Sequence, residues 1–227
     1  LRALAPDGLV SLPVSIRQFP GYATKVVNTA AEALRREGIA EPWSHLAVYR
    51  SEWVARILIA KATFGEDDIA TIRAFCDERS FDTSYFPGIE PAQVEVWNEV
   101  PPFTLDDFQP DQSGDAMMLD IIEALGLPGK NSATPDIFDL GPVTDERPFL
   151  NSIVQAPNLD KVLKKLELLP QSEIGLLINY CVLAQAVVFG ALVFLLPFLR
   201  IRRVRAGFRP MLRGAVYFAA LGLGFLF

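Results

Sequence analysis

The sequence predicts an α/β domain followed by transmembrane α-helices. Three observations lead there: a strand, a helix and two closely joined strands before Thr63, a 26-residue run without charge from Ile174 to Leu199, and a reversal of charge between the two parts. All 27 acidic residues lie within 1–173 with 15 of the 21 basic ones, giving that part −12. From Ile174 to Phe227 there is no acid and there are six arginines. The total of −6 therefore conceals an acidic part joined to a basic, apolar one. An acidic surface argues against nucleic acid as a partner, because phosphate binding needs clusters of Lys and Arg.

Leu9 to Val14 is a short apolar run bounded by turn signals, the pattern of a buried strand. Ala23, Val26, Val27, Ala30, Ala31 and Leu34 then recur at helical spacing, with Lys25, Asn28, Glu32 and Arg35 on the other face and Gly38 as a stop. Leu46 to Tyr49 and Val54 to Ala62 read as strands whose short turn, around Ser51 and Glu52, requires an antiparallel pair. Thr63 and Glu66 have capping-box spacing and open a helix through Ile69, Ile72 and Cys76 to about Arg79. Beyond Tyr85, prolines break the chain into loops, with one short helix near Asp115 to Leu125 and another loop at Asn131 to Pro135. This order fits the closing half of a doubly wound sheet whose last strand is inserted backwards.

Cys76 falls in a helix and Cys181 in the apolar run, so neither a disulfide nor a metal site is implied. One histidine, His45, makes no zinc constellation and reads as a surface residue beside Pro42. No basic start precedes an apolar core and cleavage site near Leu1, so no signal peptide is read there.

As a helix, the uncharged run spans ~39 Å, enough to cross a ~30 Å hydrocarbon layer. Asn179 and Gln185 within it suit a helix–helix hydrogen bond or a substrate path, and Ala186 and Gly190 have small-xxx-small spacing. An arginine-rich loop follows at 200–213, then an apolar run, 214–227, that reaches only ~21 Å as a helix. The expectation is a piece of a longer membrane protein: a soluble part at 1–155, a juxtamembrane linker at 156–173, a transmembrane helix at 174–199, the loop, and the start of a second helix.

Among polar residues, Arg17 follows the first strand, at the carboxyl end where open α/β sheets place ligands, and is a candidate for an anionic group. Asp106, Asp107, Asp111 and Asp115 form an acidic loop without EF-hand spacing. Phe81, Tyr85 and Phe86 read as an aromatic anchor. The stretch "DLGPVTDERPFL" brackets Thr144, Asp145, Glu146 and Arg147 between Pro142 and Pro148. Its structural reading has Thr144 capping a turn and Arg147 pairing with Asp145 or Glu146. Its functional reading puts Asp145 and Arg147 against the substrate or the membrane helices.

Several segments together resemble a known family: "LAPDGLVSLPV", "ATKVVNTAAEALRREG", "HLAVYR", "ILIAKATFGEDDIATIRAFC", "FDTSYFPG" and "PVTDERPFL". The similarity is to bacterial membrane proteins carrying a spermidine-synthase-like, S-adenosylmethionine-dependent transferase domain among transmembrane helices. That domain closes on a Pro-x-Thr-Asp-Asp-Arg-Pro-Phe motif, matched here by Pro142 to Phe149 with Glu146 in place of an Asp. The resemblance implies the C-terminal half of a Rossmann-like methyltransferase or spermidine-synthase-type domain. It also implies S-adenosylmethionine or its decarboxylated form as cofactor of the full-length protein, and a polyamine or small amine as substrate. The reaction would be attack of a nucleophile on a sulfonium carbon.

The Gly-rich turn after a first strand and the acid after a second, which hold such a cofactor, are missing; Gly8 and Gly21 stand alone, and Gly126 and Gly129 follow no strand. This chain alone is therefore expected to bind no cofactor and to be inactive. The expected role is a membrane-anchored aminopropyl- or methyltransferase. Its alternative is a non-catalytic, degenerate transferase fold serving as a binding or assembly module. Arg17, Asp145 and Arg147 are the substrate-binding candidates. The expected partners are the lipid bilayer and other transmembrane helices of the same protein, and the expected location is the bacterial inner membrane.

Overall fold

The computed structural model describes residues 3–90, 96–98, 116–128, 138–158, 160, 164, 171–200, 212–214, 216–217 and 220. The acidic loop at Asp106–Asp115, the loop at Asn131–Pro135 and most of both the arginine-rich loop and the final apolar run lie outside them. The chain divides into two compact units, Leu1–Ile174 and Gly175–Phe227.

The first unit is built on a four-stranded sheet. Strand β1 is Leu9–Ser15, helix α1 is Gly21–Arg36, and a 3-10 turn at Pro42–His45 leads into β2, Leu46–Arg50. Then come β3, Val54–Ala60, helix α2, Glu66–Arg79, strand β4, Asp82–Tyr85, and helix α3, Ala116–Ala124. The strand order is β1-β3-β2-β4, and all three neighbouring pairs are antiparallel. β1 and β2 thus run in the same direction with β3 reversed between them. Strand β4, too short and polar to show period-2 patterning, was not expected.

One sheet face carries the core. Paired residues share a face, so Val14 with Ala55, and Val48 with Ile57, point together towards α1, whose Ala23, Val27, Ala30, Ala31 and Leu34 are buried. α3 packs beside α1 through a near-continuous buried set, Met117, Met118, Leu119, Ile121, Ile122 and Leu125. α1 ends as its sequence suggests. Gly38 takes φ +88°, which permits the Ile39 N–H to reach back to Leu34 O at 3.1 Å. At its start, a Cβ on Gly21 would fall 2.4 Å from the Phe19 ring, so glycine is required for Phe19 to lie under the helix.

α2 differs from expectation at its start. Its cap is Gly65, whose N–H donates to Asp68 Oδ2 at 3.0 Å, so the box lies two residues further on than Thr63–Glu66. Gly65 takes an extended conformation, and three acids in the first turn complement the helix dipole. Of this helix only Cys76 is fully buried.

Helix α4, Gln171–Arg200, contains the uncharged run and is long and apolar enough, by length and composition, to cross a membrane. Asn179, Gln185 and Ala186 are exposed on it, and Gly190 is half-buried.

Candidate functional site

The segment 138–153 returns across α1, and three polar side chains of that helix hold it. Lys25 Nζ donates to Ser152 O at 2.5 Å, Asn28 Nδ2 donates to Leu140 O at 2.7 Å, and Thr29 Oγ1 accepts from the Val143 N–H at 2.9 Å. These residues lie one turn or less apart on one stripe of α1. Lys25 and Asn28 belong to the polar face read from the sequence as outward, and here the returning segment covers them; Thr29 was not singled out there. Lys25 is 4% exposed and Thr24 is fully buried. The segment also pairs with itself: Asp139 N–H donates to Ile153 O at 2.7 Å, beside a bridge between Phe138 and Val154. Phe138 packs on Phe19 with ring centroids 5.2 Å apart.

The next link reaches the apolar helix. Glu173, just before the uncharged run, is buried, and its Oε1 accepts from the Ile153 N–H at 3.0 Å. Ser152 is thus held by α1 and Ile153 by the first turn of α4. Burial holds the Lys25 ammonium below its ordinary pKa; the charges of Asp139 and Glu173 pull it back up and that of Arg147 adds to the fall.

The bracketed motif itself forms a tight turn. Thr144 N–H donates to Arg147 O at 3.3 Å and Arg147 N–H to Thr144 O at 2.9 Å, leaving Asp145 and Glu146 exposed at the tip. Arg147 does not pair within the turn, as expected of it, but stands 3.8 Å from Asp139 and is 80% exposed. The turn closes through backbone bonds, which frees the side chains to point outward. Phe149 is 70% exposed.

Arg17 lies where the sequence placed it, just past β1, with its guanidinium 4.1 Å from the Trp53 ring centroid. The structure does not put it in contact with Asp145 or Arg147, but their flanks meet at one cavity. That cavity, about 370 Å³, is lined by Pro13, Val14, Ser15, Gln18, Tyr22, Leu150 and Asn151. Its polar groups are uncharged hydroxyls and amides at the carboxyl end of β1. A second cleft, about 420 Å³ and almost wholly apolar, lies between β1 and α1 and includes Leu12, Val26, Ala30, Val143 and Leu150.

The free edge of β1 borders both. Ile16 N–H donates to Trp53 O and Lys61 N–H to Gly8 O, so the even-numbered residues of β1 bond to β3. Leu9, Ser11, Pro13 and Ser15 turn their backbone groups the other way. Pro13 has no N–H to offer on that side.

A buried ion pair lies towards the opposite edge of the sheet, between β2 and β4, and sequence reasoning did not single it out. Arg50 Nη1 and Asp82 Oδ2 are 3.0 Å apart with both side chains fully buried. Asp82 also accepts from the N–H groups of Trp97 at 2.5 Å and Asn98 at 3.0 Å, while Arg50 donates to Asn98 O. The signal was present only as a charged residue ending the apolar strand β2 and another, 32 positions on, opening the short polar β4.

The aromatic anchor divides in three. Phe81 joins Tyr49 and Phe75, with centroids 5.9 and 6.0 Å away. Tyr85 donates to Trp43 O at 3.1 Å, and Phe86 lies under Arg73. His45 is buried, not at the surface, because the 3-10 turn sets its ring against the end of β3, where Nδ1 is 3.3 Å from Ala60 O.

Among the described residues no group of three or more His, Cys, Asp or Glu is placed to hold a metal ion. Comparison with protein-family models, curated proteins and solved structures finds no match to this chain.

Proposed function

We propose that the chain forms the closing part of a membrane-anchored transferase of the aminopropyl- or methyltransferase type. The observation that supports this reading is strand β3, reversed between β1 and β2, with the Pro142–Phe149 turn after it and an apolar helix beyond. In that reading the cavity at the carboxyl end of β1 faces substrate, and α4 anchors the domain in the bacterial inner membrane. Arg17, one residue from Gln18 in the cavity wall, stacks its guanidinium on Trp53.

The described residues do not fit S-adenosylmethionine. Gly8 sits against Ala5 O and Gly21 against Phe19, so both glycines serve packing rather than a phosphate-style or sulfonium cradle. Among the described residues no carboxylate lines the cavity to hold a ribose. Around the cavity these residues supply a wall and a floor. Pro13 adds a constraint: a strand joining the β1 edge finds donors at Leu9, Ser11 and Ser15 but none at Pro13.

The second reading is a binding or assembly module on a transferase-like fold. It is favoured by the closing segment, whose bonds to Lys25, Asn28 and Thr29 hold the fold rather than face a ligand. Titration calorimetry of the full-length protein in a membrane mimic separates the two. Binding of S-adenosylmethionine or its decarboxylated form supports the transferase. Absence of heat with both abandons it for the module.

A further inference from the structure

The geometry points to the cavity at the carboxyl end of β1 as a site for a flat, uncharged nitrogen heterocycle carrying an amino group, held by the backbone of Pro13 and Ser15. The ligand class rests on this cavity being the one that faces substrate.

Residues from both faces of β1 line the cavity: Val14 on the α1 side, Pro13 and Ser15 on the other. A space lined from both faces of a strand lies at its edge. The odd-numbered residues turn their backbone groups to that edge, since Ile16 N–H and Gly8 O are engaged with β3. Along it stand Pro13 O, Ser15 N–H and Ser15 O, in the order acceptor, donor, acceptor. An amino group beside a ring nitrogen meets this order in either direction. The ring nitrogen accepts from Ser15 N–H, and the amino group donates to the carbonyl on one side or the other.

A pairing strand would use the same groups, but Pro13 interrupts it. With no N–H there, a strand loses one bond, and Ser15 is cut off from the donors at Leu9 and Ser11. The edge up to Ser11 therefore suits a strand, and the edge from Pro13 onward suits a smaller ligand.

The walls decide shape and charge. Val14 and Tyr22 are buried and Leu150 is half-buried, which gives a ring apolar and aromatic sides to lie against. The hydroxyl of Ser15 and the amides of Gln18 and Asn151 complete the lining with uncharged groups. A polyamine ammonium, the substrate implied by the resemblance, would leave water for carbonyls and amides alone, at a greater desolvation cost than a neutral ring.

The test is NMR of the full-length protein in a membrane mimic, following the Ser15 amide as 2-aminopyrimidine, pyrimidine and spermidine are added to separate samples. The amino heterocycle is expected to shift that amide and to bind about ten-fold more tightly than pyrimidine, the difference made by one hydrogen bond. Ser15→Pro removes the edge N–H without touching the bonds between β1 and β3, and is expected to bind 2-aminopyrimidine about ten-fold more weakly. A thermal melt shows whether that variant folds; where it does not, the comparison with pyrimidine in the parent decides. Equal affinity for pyrimidine overturns the proposal. A shift with spermidine and none with 2-aminopyrimidine overturns the ligand class but leaves the cavity to substrate. A shift with none of the three overturns both. A shift with 2-aminopyrimidine in a protein that gives no heat with either sulfonium compound upholds the site and assigns it to the binding module.

Discussion

Glu173 Oε1 accepts the Ile153 N–H at 3.0 Å, and through it the first turn of the apolar helix is fastened to the segment that closes the domain. The bond is buried, so losing the acceptor strands a backbone N–H away from water. Glu173→Ala is expected to cost about 1–3 kcal/mol, the price of an unmet buried donor, whereas Glu173→Gln keeps an acceptor and costs less. Thermal unfolding of the two variants, with hydrogen exchange at the Ile153 amide, checks the order. Equal losses would show that the charge, and not the hydrogen bond, holds the joint.

The Arg50–Asp82 pair gives a larger effect. Both groups are fully buried, and Asp82 also receives two backbone N–H groups from Trp97 and Asn98. Asp82→Ala leaves a buried guanidinium without its carboxylate and is expected to destabilise the domain by about 3–5 kcal/mol. Replacing both partners with apolar residues of similar volume should restore much of that loss. Chemical denaturation of the single and double variants measures it, and a single variant as stable as the parent would refute the pair's role.

The structural reading of the closing motif had Arg147 pairing with Asp145 or Glu146, but its 80% exposure predicts a small contribution to stability. Arg147→Ala is expected to change stability by about 0–1 kcal/mol, as for surface ion pairs. Thr29→Val, which removes the acceptor of the Val143 N–H, should cost about 1–3 kcal/mol although it lies outside the motif. A melt in which Arg147→Ala is the more damaging of the two would return the structural role to the arginine.

Local periodicity and turn residues carried much of this architecture. The apolar spacing of Ala23 to Leu34 and the position of Gly38 correspond to the observed α1, and the short Ser51–Glu52 connection to the antiparallel β2–β3 pair. Partnership across distance was not legible. Lys25, Asn28 and Thr29 share a polar stripe that any solvated helix would show, and only the returning segment turns it into a binding face. Asp82–Tyr85 is a strand because β2 offers an edge, not because its own residues alternate. For the candidate site, Arg17 is at the strand end foreseen for it, but the cavity walls Tyr22 and Asn151 are 129 residues apart and share no motif.

Cys76 offers a pH test. Burial pushes its thiol up to about 11 from an ordinary value of 9.0, with Asp77 and Asp82 adding to the rise. The folded state therefore keeps a proton that the unfolded chain gives up first. The resulting stabilisation is complete below pH 9 and is lost as pH rises through the window to about 11. At most about 3 kcal/mol is at stake. Burial also pushes Tyr85 up and Lys25 down, so the comparison must be with Cys76→Ala under identical conditions. The stability difference between parent and variant is expected to fall between pH 9 and 11; a constant difference would show that the thiol titrates as in the unfolded chain.

Sidedness is where charge and chemistry pull apart. The sequence after α4 carries six arginines at 200–213, against Lys161, Lys164 and Lys165 before it. Basic residues flanking a span favour the cytoplasmic side, and six against three places the arginine-rich loop there. One crossing then puts the acidic domain outside, away from the cytoplasmic supply of a sulfonium cofactor. The expected result is therefore an external domain, and it would weigh for the binding or assembly module. Glu146→Cys sits at the exposed tip of the closing turn and, with Cys181→Ser, gives a single surface thiol on the described part of the domain. A membrane-impermeant maleimide applied to intact cells should label it. Labelling only after permeabilisation would overturn the charge argument, place the domain in the cytoplasm and strengthen the transferase reading.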